Sequence, residues 1–219
     1  MLPSQSGVEV GPLSLLGDVI TPNRPRGLVI FAHGSGSSRF SPRNRKVAFA
    51  LAAKGVATLL FDLLNADEAA FRANVFDVAL LTSRLVEAID WARETQRLGG
   101  LDIGLFGSST GAAAALCAAA RRPVAAVVSR GGRPDLAGAL GPAAAPTLLI
   151  VGSRDVEVLA LNRAALRQLG PAAHLAIVDG ASHLFEEPGA LDEVIGLSQA
   201  WFSHHFAAPA SNQLKGRSV

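Results

Sequence analysis

Short apolar runs alternate with helix-patterned segments along nearly all of this 219-residue chain, and that alternation limits its fold more than any other feature. Residues 27–32, 57–61, 101–106, 124–128, 147–151 and 175–178 read as strands that are apolar nearly throughout. Between and after them, residues 43–54, 76–95, 112–120, 159–169 and 191–206 carry helical patterning, the first of these closed by Gly55. A strand apolar along its whole length has to be covered on both sides. The expected fold class is therefore α/β, a mostly parallel twisted sheet with helices on both faces. Residues 8–20 add an edge hairpin. One domain over residues 1–206 accounts for the pattern, and residues 207–219, rich in Pro, Ser, Asn, Gln and Gly, read as a mobile tail.

Composition narrows the function classes. Apolar residues make up 49% of the chain and charged ones 17%, below the usual quarter, so apolar surface is left over for a partner and a homodimer is allowed. A formal charge of +2 is too small to imply nucleic acid or an anionic membrane as partner. The single cysteine, Cys117, excludes an internal disulfide and a cysteine metal cluster. No His, Asp or Glu cluster has metal-ligand spacing, so neither a metal nor another cofactor is expected. The first residues lack the basic and apolar regions of a signal peptide, and no apolar run reaches membrane-spanning length; a cytoplasmic location is the default expectation.

In such a sheet, chemistry gathers where strands end. Gly107-Ser108-Ser109-Thr110-Gly111 lies between a strand and a helix, where G-x-S-x-G forms a sharp turn that lifts its central serine above the sheet edge. Both glycines are required there, because side chains would collide with the neighbouring strand and helix. Gly152-Ser153-Arg154-Asp155 and Ser182-His183 follow later strands. The order Ser109, Asp155, His183 is that of nucleophile, acid and base in serine hydrolases of this architecture. Asp155 also stands where it would cap a helix, and Asp62, Asp135 and Asp179 follow strands too. His33 precedes the serine, and His174, His204 and His205 sit in a strand start or a helix end. His183 alone lies on a loop after the last strand. Ahead of them, His33-Gly34-Ser35-Gly36 follows the first strong strand. Backbone N–H groups of Ser35 and Thr110 would form the oxyanion hole, with Gly34 or Gly36 as alternatives to Ser35. His33, Arg39 and Arg130 are candidate substrate contacts, the arginines for a carboxylate or phosphate.

Taken together, His33-Gly34-Ser35-Gly36-Ser37-Ser38-Arg39, Phe61-Asp62-Leu63-Leu64, the Ser109 segment, Ser129-Arg130-Gly131-Gly132-Arg133-Pro134-Asp135, Val151-Gly152-Ser153-Arg154-Asp155 and Ser182-His183-Leu184-Phe185-Glu186-Glu187-Pro188-Gly189 make the chain resemble the dienelactone-hydrolase-like branch of the α/β-hydrolase superfamily. The resemblance spans about residues 8–206. It implies a Ser-Asp-His esterase acting on a small ester or lactone, similar to a domain found fused to phosphoribosyltransferases. True dienelactone hydrolases use cysteine where this chain has Ser109, and their carboxylate-binding arginines have no clear match here. A serine at the elbow also departs from haloalkane dehalogenases and epoxide hydrolases, which need aspartate.

Only about 18 residues separate positions 128 and 147, where relatives insert lids, so no large lid domain is expected. An open site suits small, fairly soluble esters better than long lipids. Two other readings compete. A dinucleotide-binding domain would use Gly34-Ser35-Gly36 and Asp62, but Arg39 stands at its third glycine. A non-catalytic binding domain would leave Ser109, Asp155 and His183 without purpose.

Overall fold

The computed structural model describes residues 3–206. Eight strands form one sheet in the order β1-β2-β4-β3-β5-β6-β7-β8. They are β1 (Ser4–Val10), β2 (Leu15–Thr21), β3 (Gly27–Ala32), β4 (Ala57–Phe61), β5 (Asp102–Ser108), β6 (Ala126–Arg130), β7 (Thr147–Gly152) and β8 (Ala173–Val178). From β4 to β8 all neighbours are parallel; β1 and β2 form an antiparallel hairpin, and β2 runs antiparallel to β4. The hairpin expected at the edge is there, longer at both ends than the apolar pattern implied.

The strands are apolar on both faces because both are covered. In β3, Leu28, Ile30 and Ala32 face a core shared with α4 (Val78–Glu94), α5 (Thr110–Arg121) and α6 (Val156–Leu169). Val29 and Phe31 face the opposite core, shared with α1 (Pro42–Ala53) and α7 (Ala190–His205). Phe31 and Phe106 of neighbouring strands meet in that second core at 4.8 Å between ring centroids. Each buried aromatic of this kind contributes on the order of 2–3 kcal/mol.

Helix ends follow local chemistry. Ser41 caps α1, accepting from the Asn44 N–H, with Pro42 in the first turn where its missing N–H costs nothing. The helix expected over residues 76–95 is α4, trimmed by two residues at its start and one at its end, and a separate short helix, α3 (Arg72–Phe76), precedes it. Asp77 stands between them: its carboxylate accepts the Leu80 N–H at 3.0 Å, making it the N-cap of α4. A four-residue helix, α2 (Ala66–Ala69), precedes α3 and was not apparent from apolar periodicity. Between β6 and β7 the only helical turn among the described residues is Pro134–Ala137, so no lid domain covers the carboxyl edge of the sheet. Among those residues, no helix is long and apolar enough to cross a membrane. The tail assigned to residues 207–219 lies outside the described residues.

Candidate active site

β5 ends at Ser108 and α5 begins at Thr110, so the chain turns on Ser109 alone. Ser109 holds φ 52° and ψ −120°, a region costing a non-glycine residue about 1–3 kcal/mol. Three hydrogen bonds hold it there: its N–H donates to Arg130 O at 3.2 Å, and its carbonyl accepts the N–H groups of Ala112 and Arg133, each at 3.1 Å. The flanking glycines permit the turn for steric reasons. A Cβ on Gly107 would lie 2.4 Å from Ala112 Cα, and one on Gly111 would lie 2.3 Å from Ala32 O. The amino end of the twelve-residue α5, the positive end of its dipole, meets the serine.

Asp155 and His183 come together at the carboxyl ends of β7 and β8. His183 Nδ1 lies 2.6 Å from Asp155 Oδ2, with the carboxylate side chain 14% exposed and the imidazole 38%. The two loops are stitched by backbone: Ser153 N–H donates to Val178 O at 2.9 Å and Arg154 N–H to Ala181 O at 3.0 Å. Asp155 occupies the N-cap position of α6 but makes no side-chain cap bond; its carboxylate is turned to the imidazole instead. A Cβ on Gly131 would lie 3.5 Å from the His183 ring, and the residue before it, Arg130, accepts the Ser109 N–H. His183 and Ser109 thus abut the same short segment after β6.

The other acids are engaged elsewhere. Asp62 accepts the Arg39 N–H at 2.8 Å and pairs with its guanidinium. Asp135 pairs with Arg133 at 2.7 Å, and Asp179 accepts the Ser153 hydroxyl at 3.1 Å. His174, His204 and His205 gather with Trp201 near the start of β8 and the end of α7, at the edge of the sheet away from Ser109.

Four of the expected site residues have surroundings that the sequence did not show. Ser35 N–H, assigned to the oxyanion hole, donates to Thr110 Oγ1 at 2.8 Å, so it is not a free donor in this structure. Gly34 is the loop residue against the serine, since a Cβ there would lie 3.1 Å from Ser109 Cβ. His33 offers no hydrogen bond to a substrate. Leu63 N–H donates to its Nε2 at 3.1 Å, which puts the proton on Nδ1, 3.0 Å from Gly34 O. Burial, more than any charge, pushes its imidazole below the ordinary value. Arg39 lies between Asp62 and Asp18, its Nε 3.9 Å from the latter, so its charge is already met. Arg130 is 8% exposed, and its Nε and Nη1 find no hydrogen-bond partner. Burial, with Arg43 nearby, pulls it down to about 10. Its carbonyl, rather than its guanidinium, touches the serine.

A cavity of about 580 Å³ opens beside the His33-Gly34-Ser35 turn. Its walls come from that turn, from Leu63 and Leu64 after β4, from the β1–β2 turn, and from the α2–α3 segment. Apolar periodicity gave no sign of α2. The signal lay in Asn65-x-x-Glu68, a capping box in which Asn65 Oδ1 accepts the Glu68 N–H at 2.8 Å and Glu68 Oε2 accepts the Asn65 N–H at 3.1 Å.

A scan against models of known protein families finds no match. Two curated proteins from strains of Mycobacterium tuberculosis, provisionally named as phosphoribosyl transferases, are each 54% identical over 205 residues, covering 92% of this chain and 46% of theirs. The chain spans about half the length of these relatives. A crystal structure of a dienelactone hydrolase from Anabaena variabilis superposes with a TM-score of 0.90 at 51% identity, covering 94% of this chain and all of that one. A lidless α/β serine hydrolase from Xanthomonas campestris shares the fold, with a TM-score of 0.71 at 22% identity, covering 95% of this chain and 97% of that one. A serine turn at the end of β5, an Asp–His pair past β7 and β8, and 51% identity to the Anabaena structure over 94% of this chain place it in the dienelactone-hydrolase-like branch of the α/β-hydrolase fold family.

Proposed function

We propose that this chain is a serine hydrolase that cleaves small carboxylic esters through an acyl-enzyme. The observation that carries the reading is the 2.6 Å Asp155–His183 pair, which gives up a helix cap and sits against the segment that holds Ser109. His183 Nε2 takes the Ser109 proton as Oγ attacks the ester carbonyl. Asp155 keeps the imidazole proton on Nδ1 and stabilises the cation that forms. The negative oxygen of the tetrahedral intermediate meets the N–H groups of Thr110 and Ser35. Because a hydrogen bond to a charged acceptor is roughly twice as strong as one to a neutral acceptor, the Ser35 N–H exchanges Thr110 Oγ1 for the oxyanion. Collapse breaks the ester C–O bond, and the departing alkoxide takes the proton from His183. Water, deprotonated by the same imidazole, then adds to the acyl-serine, and its collapse releases the acid and restores Ser109.

The name of the Anabaena protein supports a second reading, cleavage of a lactone ring by the same steps. The transferase name belongs to proteins about twice as long, and we assign that activity to the part of them this chain does not span.

Turnover of p-nitrophenyl butyrate tests the reading. Ser109→Ala and His183→Ala are each expected to lower kcat by about 10⁴ or more, and the double variant to lose no more than either single one, because the residues act as one unit. A Ser109→Ala protein that keeps a tenth of the wild-type rate would contradict it.

A further inference from the structure

We infer that the 580 Å³ cavity receives the acyl half of the substrate, and that this half is an uncharged apolar chain of medium length, while the alcohol half lies in the open with little discrimination. This rests on the reading of Ser109 and His183 given above. The order of strands supplies the argument. Ser109 follows β5, and His183 and Asp155 follow β8 and β7 on one side of it. The cavity is built on the other side, from residues that follow β3 and β4 and from the start of β2, which meets the end of β4 where Gly17 pairs with Phe61. The leaving oxygen has to sit beside His183, since it takes its proton from that imidazole. A carbonyl carbon bonded to Ser109 Oγ carries three other groups: the leaving oxygen toward β6 and β7, the oxyanion at the Thr110 and Ser35 N–H groups, and a last substituent left to run past that turn over β3 and β4. That substituent is the acyl chain, and the cavity lies in its path.

The lining sets the chemistry. Leu13, Leu15, Leu16, Leu63, Leu64 and Val75 make the walls largely aliphatic. The volume falls within the range of about 300–1,000 Å³ typical of ligand clefts, far more than an acetyl group fills. Arg39 is the cation on the wall among the described residues, and Asp62 and Asp18 already neutralise it. An acyl chain ending in a carboxylate would meet no free positive charge. Across the serine, His183 is 38% exposed and, among the described residues, no lid domain follows β6, so the alcohol half faces the open side of the site.

Two ester series test this on the full chain. In p-nitrophenyl esters from acetate to octanoate, kcat/KM is expected to rise by up to about fourfold per methylene buried, and by about 30-fold or more across the series. In butyrate esters of methanol, butanol and octanol it is expected to change less than about threefold, within what one partly exposed methylene would give. The p-nitrophenyl monoester of succinic acid, similar in length to butyrate but anionic, should be at least about tenfold poorer. Ala69, exposed on the cavity wall, is the position to fill: Ala69→Trp should lower the octanoate-to-acetate ratio at least about tenfold, and Ala66→Trp should do the same from the other end of that single helical turn. A flat acyl series, a steep alcohol series, or ratios unmoved in both variants would overturn the acyl assignment while leaving the hydrolase reading intact. Absence of turnover with every ester, together with no Ser109 adduct from a fluorophosphonate, would overturn both.

Discussion

At the scale of single residues, the site shows which costs the fold accepts. Ser109 keeps a positive φ that glycine would adopt without penalty. Ser109→Gly is therefore expected to raise stability by about 1 kcal/mol in urea denaturation while abolishing ester turnover. A variant no more stable than wild type would show that the turn is unstrained. His33 sets a second case. Burial holds its imidazole below 6.5, so as pH falls through 6.5 the unfolded chain takes up a proton that the folded chain does not. Its contribution to stability is complete above that pH and is lost below it. The His33→Asn variant should be about 1–2 kcal/mol less stable at neutral pH yet decline less steeply on acidification. The decline should be shallower rather than flat, because burial holds His205 low as well. Equal slopes for the two proteins would remove His33 from the account.

At the scale of elements, apolar strands and long helices were legible because each carries many residues of one pattern. β3 and β4 match their apolar runs end to end, and α1 differs by a residue at its borders. What periodicity missed were pieces fixed by one or two polar side chains. Asp77 splits α3 from α4 by a single cap bond, and α2 rests on the Asn65–Glu68 box. Neither α2 nor α3 has a fully buried residue; α2 is held by its capping box, and α3 is tied on by the Asn74 side-chain amide donating to Glu68 O at 2.9 Å and by Val75 packing at the margin of the core. Asn65→Ala should therefore cost about 1 kcal/mol locally and speed amide exchange about fivefold over residues 66–76. The melting temperature of the whole protein should stay put. A drop of several degrees would show that the segment unfolds with the core.

At the scale of the whole molecule, the parallel sheet gathers chain segments far apart in sequence at one edge. Ser109, Asp155 and His183 could be picked out of the sequence because each follows a strand in a recognisable order. The surroundings could not be read the same way. That Thr110 Oγ1 takes the Ser35 N–H, that Asp62 and Asp18 occupy Arg39, and that Arg130 is buried with its Nε and Nη1 unpaired all depend on distances between strands, which no local pattern records. The apolar cavity has the same origin, since its walls come from four separate segments. The central claim is that this edge makes Ser109 a nucleophile. Fluorophosphonate treatment followed by peptide mass spectrometry tests it most directly. The account predicts one covalent adduct, on Ser109, absent in Ser109→Ala and much slower to form in His183→Ala. A folded protein that takes up no label, or that is labelled as fast without His183, would contradict it.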